Sequence, residues 1–245
     1  MPEYSKQKIE HVICDLKKKG YSILKSKKCE NLANKALLEY KSIMQTHDLN
    51  AQKALFSLNE LQTRAWRKTA IGSQNGLGDP ISQVLQSTYV SESSPSFSAI
   101  RQCAKELIML RNRLSNLPDD FGSSPERDHY WNAVRIHHYP CGGGHMQKHR
   151  DTHFSEKMKS HTNTFIQVAM NLSIKGRDFN TGGLYVYDRS DKAVCLEDHQ
   201  SCGNIVVFDG RLKHEVKDVD LDQVLNWQSP KGRVALYSNL YSYYK

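Results

Sequence analysis

Two side chains that are able to bind one metal ion stand two residues apart, shortly after a glycine-rich run. They are His149 and Asp151, at the end of the segment 139–151, which reads YPCGGGHMQKHRD. On an extended backbone, residues i and i+2 point to the same side, so an imidazole nitrogen and a carboxylate oxygen are presented together. A His-x-Asp pair alone is common by chance, and a metal site needs a third ligand from elsewhere in the chain.

His214 is the strongest candidate for that third ligand. It follows an apolar run in the segment 203–216, which reads GNIVVFDGRLKHEV. His153 is the alternative, because residues i and i+4 share one face of a helix, although a helix is not expected straight after a glycine turn. Two histidines and one carboxylate on one face of an octahedral ion leave three positions open, and this is the ligand set of non-haem Fe(II) oxygenases.

A series of motifs resembles the Fe(II)/2-oxoglutarate-dependent oxygenases, in the branch that includes the prolyl hydroxylases. The resemblance covers about Trp131 to Tyr241, and its motifs occur in the family's order: RIHHY at 135–139, HRD at 149–151, MNLS at 170–173, NTGGLYV at 180–186, GNIVVF at 203–208, HEV at 214–216 and GRV at 232–234. It implies a mainly β protein with N-terminal helices, whose core is a double-stranded β-helix of the jelly-roll, cupin-like type flanked by α-helices.

The resemblance also implies a cofactor and the residues that bind it. Fe(II) would be held by His149, Asp151 and His214, with 2-oxoglutarate and O2 as co-substrates and ascorbate as an accessory reductant. Arg233, on the last long strand, matches the basic residue that receives the distal carboxylate of 2-oxoglutarate. A guanidinium suits this role because it can grip a carboxylate with two parallel hydrogen bonds.

Two features near Arg233 depart from the family pattern. Many relatives have a serine two residues later, where this chain has Ala235, and the polar segment 220–231 has the character of an inserted loop. Tyr139 matches a tyrosine that contacts 2-oxoglutarate in some relatives, so it is predicted to supply the second contact. The alternative for Tyr139 is ordinary packing inside the barrel.

Four further residues are candidates for binding the substrate. Arg135 and His137 alternate with Tyr139 on one strand face, while Gln167 and Asn171 share a face of the strand predicted over 164–173. An arginine inside a pocket indicates an anionic group on the substrate, such as the carboxylate of an amino acid. The alternative is that Arg135 is paired with an acidic residue for structural reasons.

The periodicity of the apolar residues divides the chain into two parts of a single 1–245 oxygenase domain. Residues 1–128 are predicted to be mainly helical, with helices at 5–19, 30–46 and 98–115 and a short strand at 21–24. The segment 51–96 is either a lid or a plain connector, because glycines and a proline interrupt its pattern. From residue 129 onward the period changes to two, which predicts the strands of the β-rich core.

Composition restricts the functional class further. The chain has 245 residues, a formal net charge of +8 and six cysteines without a CxxC pair, so a structural zinc site is not expected. The first 28 residues contain eight lysines against three acidic residues, which is either a solvated helix face or a basic arm for an acidic partner. With no signal peptide or apolar run of membrane-spanning length, we expect a cytoplasmic protein that does not contact membranes.

Three functions are compatible with these observations. The first is a dioxygenase that hydroxylates a small molecule, with amino acids and metabolites derived from them as the leading candidates. The second is an oxygenase acting on a protein side chain or a nucleic acid; the nucleic-acid branch is disfavoured because no second arginine follows Arg233 on the last strand. The third is a jelly-roll binding module without catalysis, against which the complete set of three ligands argues. The sequence does not indicate an oligomeric state.

Overall fold

The computed structural model of the chain describes residues 4–45, 66–74, 81–90, 97–151, 165–199 and 201–243. His153 and parts of the predicted lid segment 51–96 lie outside these ranges. Within the described ranges, none of the helices combines the length and the apolar character that are needed to cross a bilayer.

The described chain contains four α-helices and eleven strands. The helices are α1 (Lys6–Lys18), α2 (Lys27–Gln45), α3 (Ser98–Leu114) and the short α4 (Pro125–Asp128). The strands are β1 (Tyr21–Leu24), β2 (Trp66–Gln74), β3 (Ile81–Tyr89), β4 (Tyr130–Pro140), β5 (Gly144–His149), β6 (Ile166–Asn171), β7 (Gly183–Tyr187), β8 (Ala193–Cys195), β9 (Ile205–Asp209), β10 (His214–Val219) and β11 (Gly232–Ser242).

The strands form one curled antiparallel sheet. Its order is β1-β9-β6-β11-β4-β3-β5-β10-β7-β8, and β2 pairs with β3 outside this path. Strand β3 pairs with both β4 and β5, and it thereby joins the half of the sheet that carries β11 to the half that carries β10. This half-barrel, flanked by helices, confirms the predicted jelly-roll type of core.

The alternation of side chains along the strands separates two apolar clusters. On β4 and β11, Val134, Ile136, Val234 and Leu236 face the helices and pack with α2 and α3. The residues between them face the interior of the half-barrel, where Tyr139 packs in a second cluster with side chains from β7, β9 and β10. Because the period is two, every polar residue at an odd position of these two strands lies on the interior side.

The hairpin β2–β3 is the largest difference from the sequence-based expectation. The segment 51–96 was predicted only as a lid or a connector, yet 66–74 and 81–89 pair along their whole length. Strand β2 is an edge strand whose Ile71 is 68% exposed, and its apolar residues Trp66, Ala70 and Ile71 do not show the alternation that would reveal a strand. Strands β1 to β3 therefore join the same sheet as the strands of the C-terminal part.

Candidate metal and co-substrate site

The pairing of β5 with β10 brings the two predicted histidine ligands together. His149 is the last residue of β5 and His214 the first of β10, and the two are direct partners across the antiparallel ladder. Asp151 follows two residues after His149, and its position is fixed by a backbone hydrogen bond from its N–H to the carbonyl of Gly210 at 3.0 Å. Residues far apart in sequence thus meet at one end of a strand pair.

The three side chains offer their donor atoms to one point. One ligand atom from each lies within 4.8 Å of the others, and Nε2 of His149 and Nε2 of His214 are each 3.8 Å from Oδ1 of Asp151. No other group of three or more His, Cys, Asp or Glu residues in the described ranges could hold a metal ion. The sequence-based choice of ligands therefore corresponds to a single compact cluster.

Backbone carbonyls orient both imidazole rings for metal binding. Nδ1 of His149 lies 2.8 Å from the carbonyl oxygen of Gln147, and Nδ1 of His214 lies 2.9 Å from that of Leu212. A carbonyl can only accept, so each Nδ1 carries the proton and each Nε2 keeps its lone pair. Burial, followed by the charge of His214, lowers the pKa of His149, which favours the neutral form that binds metals.

A glycine turn connects β4 to β5 at the end of β5 that lies away from His149. Gly142 has a φ of +92°, and a Cβ at this position would lie 2.4 Å from the backbone nitrogen of Leu225. Only glycine fits both the left-handed backbone and the close approach of the segment 220–231. Glycine is therefore required at this position of the turn that leads into β5.

Arg233 lies in the interior of the half-barrel and is 1% exposed. Its Nε donates to Oε1 of Glu197 at 2.5 Å, and its Nη1 lies 3.5 Å from the phenol oxygen of Tyr237. Its Nη2 is buried and has no hydrogen-bond partner within the described chain. The guanidinium is therefore held along one edge, while the end that carries Nη2 remains available for an anion.

Glu197 is a functional candidate that the sequence did not reveal. It lies just after β8, and its Oε1 also accepts from the backbone N–H of Leu184 at 2.9 Å, while its Oε2 accepts from the amide of Asn171 at 3.2 Å. These two contacts hold the carboxylate in place independently of Arg233. No spacing in the sequence links positions 197 and 233, because their contact depends on how the segment after β8 and strand β11 are placed in three dimensions.

Tyr139 and His137, which are both on β4, lie beside Arg233 of β11. The Cζ atom of Arg233 is 5.6 Å from the centre of the Tyr139 ring, and the Tyr139 hydroxyl is 3.5 Å from Nδ1 of His137. Burial raises the pKa of Tyr139, so the phenol stays protonated. Burial, followed by the charges of Arg135 and Arg233, lowers the pKa of His137 well below its ordinary value. Both side chains are thus neutral hydrogen-bonding groups.

The remaining predicted substrate residues lie on the same interior face. Arg135 donates from Nη2 to Oδ1 of Asn239 at 2.7 Å, and Asn239 donates in turn to Oε1 of Gln167 at 3.1 Å. Asn171, by contrast, donates to Glu197 and so supports the Arg233 pair, although its Oδ1 is buried without a partner in the described chain. Arg135 and Gln167 are therefore joined through Asn239, whereas Asn171 belongs to the neighbouring cluster.

These residues fit the iron and the co-substrate that the resemblance implies. Two oriented imidazoles and one carboxylate are a suitable donor set for Fe(II). The buried, unpartnered Nη2 of Arg233 and the hydroxyl groups of Tyr139 and Tyr237 are suitable for a carboxylate that enters the interior.

Comparisons with known proteins give a consistent picture of the fold. The chain matches no protein-family model and no curated protein sequence. It is similar to the crystal structure of a prolyl-4-hydroxylase from Pseudomonas putida, with a TM-score of 0.57 and 15% identity, over 97% of this chain and 100% of that one.

Two further solved structures cover nearly the whole chain. One is a prolyl hydroxylase from Trichoplax adhaerens, in complex with a peptide fragment of the hypoxia inducible factor, with a TM-score of 0.51, 17% identity and coverage of 99% of this chain and 94% of that one. The other is a non-heme alpha-ketoglutarate-dependent epimerase from nogalamycin biosynthesis, with a TM-score of 0.54, 11% identity and coverage of 97% and 84%. At these identities the likeness establishes the fold, which is that of the 2-oxoglutarate and Fe(II) oxygenases.

Proposed function

We propose that this protein is a 2-oxoglutarate-dependent Fe(II) dioxygenase that hydroxylates a C–H bond of a small molecule. The observation that carries the proposal is the convergence of His149, Asp151 and His214 on one point in a jelly-roll core. A buried arginine with an unpartnered N–H group, Arg233, supports it from the same interior.

The iron and the co-substrate supply the oxidising chemistry when bound: 2-oxoglutarate and O2 are converted to succinate and CO2, and one oxygen atom enters the substrate as a hydroxyl group. The protein's own part is to hold three ligands on one face and leave the other coordination positions open. The carbonyls of Gln147 and Leu212 keep both rings in the tautomer that binds metal.

Arg233 is assigned to the distal carboxylate of 2-oxoglutarate. Glu197 holds the Nε side of the guanidinium, so that the end with Nη2 is presented to the interior together with the hydroxyl of Tyr237. Tyr139 forms the wall next to the guanidinium. Because Tyr237 supplies a hydroxyl, it takes the place of the serine that is missing at Ala235.

Measurement of succinate release tests this function. The purified full-length protein, with Fe(II), ascorbate and 2-oxoglutarate in air, is expected to form succinate slowly alone and faster with one member of a panel of amino acids, peptides and oligonucleotides. His214→Ala should abolish both rates, whereas the exposed-histidine variant His11→Ala should keep them. Absence of any iron-dependent succinate would contradict the proposal.

An oxygenase acting on a macromolecule is the second candidate. The observation that bears on it is the lysine-rich α1, whose basic residues Lys6, Lys8, Lys17 and Lys18 are exposed. Stimulation of succinate release by a peptide or an oligonucleotide, and by no free amino acid, would favour this candidate. A salt-sensitive response to an oligonucleotide would specify nucleic acid.

A further inference from the structure

A second arginine in the interior differs from Arg233 in having no acidic partner. Arg135 on β4 lies between two tyrosine rings, with its Cζ 5.8 Å from the centre of Tyr89 and 5.6 Å from that of Tyr241. Its Nη2 donates to the amide oxygen of Asn239. Two aromatic faces and one neutral amide thus orient the guanidinium without neutralising its charge.

Arg135 is partly buried and forms no direct ion pair within the described chain. No Asp or Glu in the described ranges lies within ion-pair distance of it, and its Nε is buried without a hydrogen-bond partner there. By comparison, the interior arginine Arg233 has Glu197 at hydrogen-bond distance. A guanidinium that is largely removed from water, with an unsatisfied N–H, is costly unless an anion completes it.

A series of contacts links Arg135 to the candidate metal site. It shares the interior face of β4 with His137 and Tyr139, and it lies opposite Tyr237 in the β4–β11 ladder. Burial lowers the pKa of Arg135, but the phenols of Tyr241 and Tyr89 and the carboxylate of Asp151 more than offset this effect. Asn239, which accepts from Arg135, donates in turn to Gln167. Gln167 is the cross-strand partner of Phe208, whose ring centre lies 5.0 Å from that of His214. These contacts place Arg135 on the same side of the sheet as the candidate metal ligands.

We propose that Arg135 anchors a carboxylate of the substrate, so that the substrate is a small organic acid, with free α-amino acids as the best-fitting class. The inference rests on the proposed function and names the substrate class of that site. A single guanidinium with neutral neighbours matches the single charge of a carboxylate. The anchored acid group would leave the rest of the molecule free to reach the iron ligands. An internal residue of a peptide has no free α-carboxylate and would not be anchored in this way.

Matched pairs of free acids and neutral amides test this inference. The twenty L-amino acids and their C-terminal amides are titrated by calorimetry into the full-length protein loaded anaerobically with Fe(II) and 2-oxoglutarate. At least one acid is expected to bind and to raise succinate release in air, while its amide binds at least about tenfold more weakly. Arg135→Gln should remove this difference and leave the 2-oxoglutarate requirement within about twofold of the wild-type value.

A second variant keeps Arg135 but pairs it with a carboxylate of the protein, so that it no longer attracts an acid. Asn239→Asp places a carboxylate at the position that now accepts from Nη2 of Arg135, so the pair becomes neutral and the incoming acid is repelled. We expect it to weaken binding of the acid by about tenfold or more and to leave binding of the amide unchanged. Arg127→Gln, at an arginine that is 55% exposed on α4, is the control and should bind like the wild type.

Three results would overturn the inference: no free acid binds, acid and amide bind equally, or Arg135→Gln raises the 2-oxoglutarate requirement instead, which would assign Arg135 to the co-substrate. Slow succinate formation without any added substrate separates these failures from failure of the proposed function. If it persists in the wild type, the dioxygenase stands and only the substrate class is wrong.

Discussion

Nε of Arg233 donates to Oε1 of Glu197 at 2.5 Å, and both side chains are only 1% exposed. The pair fixes the guanidinium that is assigned to 2-oxoglutarate, but it also places a negative charge beside the position where a carboxylate would bind. Orientation and charge therefore act in opposite directions on co-substrate affinity, and substitutions at Glu197 can separate them.

Glu197→Gln removes the charge and keeps the shape. The amide oxygen can still accept from Arg233 and Leu184, and Asn171 can turn its unpartnered Oδ1 toward the new amide. We expect 2-oxoglutarate to bind about threefold to tenfold more tightly and to raise the melting temperature more than in the wild type. Calorimetric titration and thermal unfolding with and without 2-oxoglutarate measure both effects.

Glu197→Ala removes the orientation as well. We expect weaker 2-oxoglutarate binding, together with a loss of stability of about 3–5 kcal/mol, because a buried arginine loses its partner. Identical 2-oxoglutarate affinity in wild type, Glu197→Gln and Glu197→Ala would show that the pair has no influence on the co-substrate.

Fe(II) affinity should depend on His149, Asp151 and His214, and it should not depend on the exposed histidine His11. Since outer partners of metal ligands alone change affinity about 10–100-fold, His149→Ala, Asp151→Ala and His214→Ala should each lower Fe(II) affinity by more than about 100-fold. Anaerobic equilibrium dialysis provides the measurement, with His11→Ala, at a histidine 72% exposed on α1, as the control. Retained affinity in His214→Ala with loss in His153→Ala would show that the third ligand is assigned wrongly.

Buried His138 should make the protein less stable in mild acid. Its Nε2 donates to the carbonyl of Lys231 at 3.0 Å, and burial lowers its pKa from 6.5 to about 4. The unfolded chain therefore binds one proton more between these values. The stability contribution is complete above pH 6.5 and is lost as the pH falls toward 4.

Between pH 7 and pH 5 this histidine should reduce the free energy of unfolding by about 2 kcal/mol. Urea unfolding of wild type and His138→Asn at both pH values measures the effect, and the variant should show the smaller decrease. An equal decrease in the two proteins would mean that His138 does not titrate abnormally.

Helices α2 and α3 are connected by a carboxylate that caps a helix. Oε1 and Oε2 of Glu39 accept from the backbone N–H groups of Ala99 and Ile100, each at 2.9 Å, in the first turn of α3. Glu39→Ala should lower the free energy of unfolding by about 1–2 kcal/mol. Urea unfolding measures this loss, and Glu10→Ala on the exposed face of α1 should stay within about 0.5 kcal/mol of wild type.

The parts of the fold that the sequence predicted are those with a clear periodicity. Val134 and Ile136 alternate with Arg135 and His137, so both faces of β4 could be assigned before the structure was known. Helices α1 and α3 were equally clear, because their apolar stripes are long. The hairpin β2–β3 was missed because an exposed edge strand has no periodic burial to detect.

The residues of the candidate site also fall into those that the sequence predicted and those that it did not. His149 and Asp151 are close in sequence and follow a glycine turn, so a joint role in metal binding could be predicted. Glu197, Asn239 and Tyr89 were not predicted, because each reaches its arginine through the packing of segments that are distant in the chain. Contacts of this kind carry no local sequence signal.

The visible spectrum of the anaerobic protein tests the central claim most directly. Addition of Fe(II) and 2-oxoglutarate together should produce a weak, broad charge-transfer band that neither produces alone. His214→Ala should abolish the band, and Arg233→Ala should require a higher 2-oxoglutarate concentration to develop it. A flat spectrum for the wild type at saturating Fe(II) and 2-oxoglutarate would contradict the assignment of these residues to an oxygenase site.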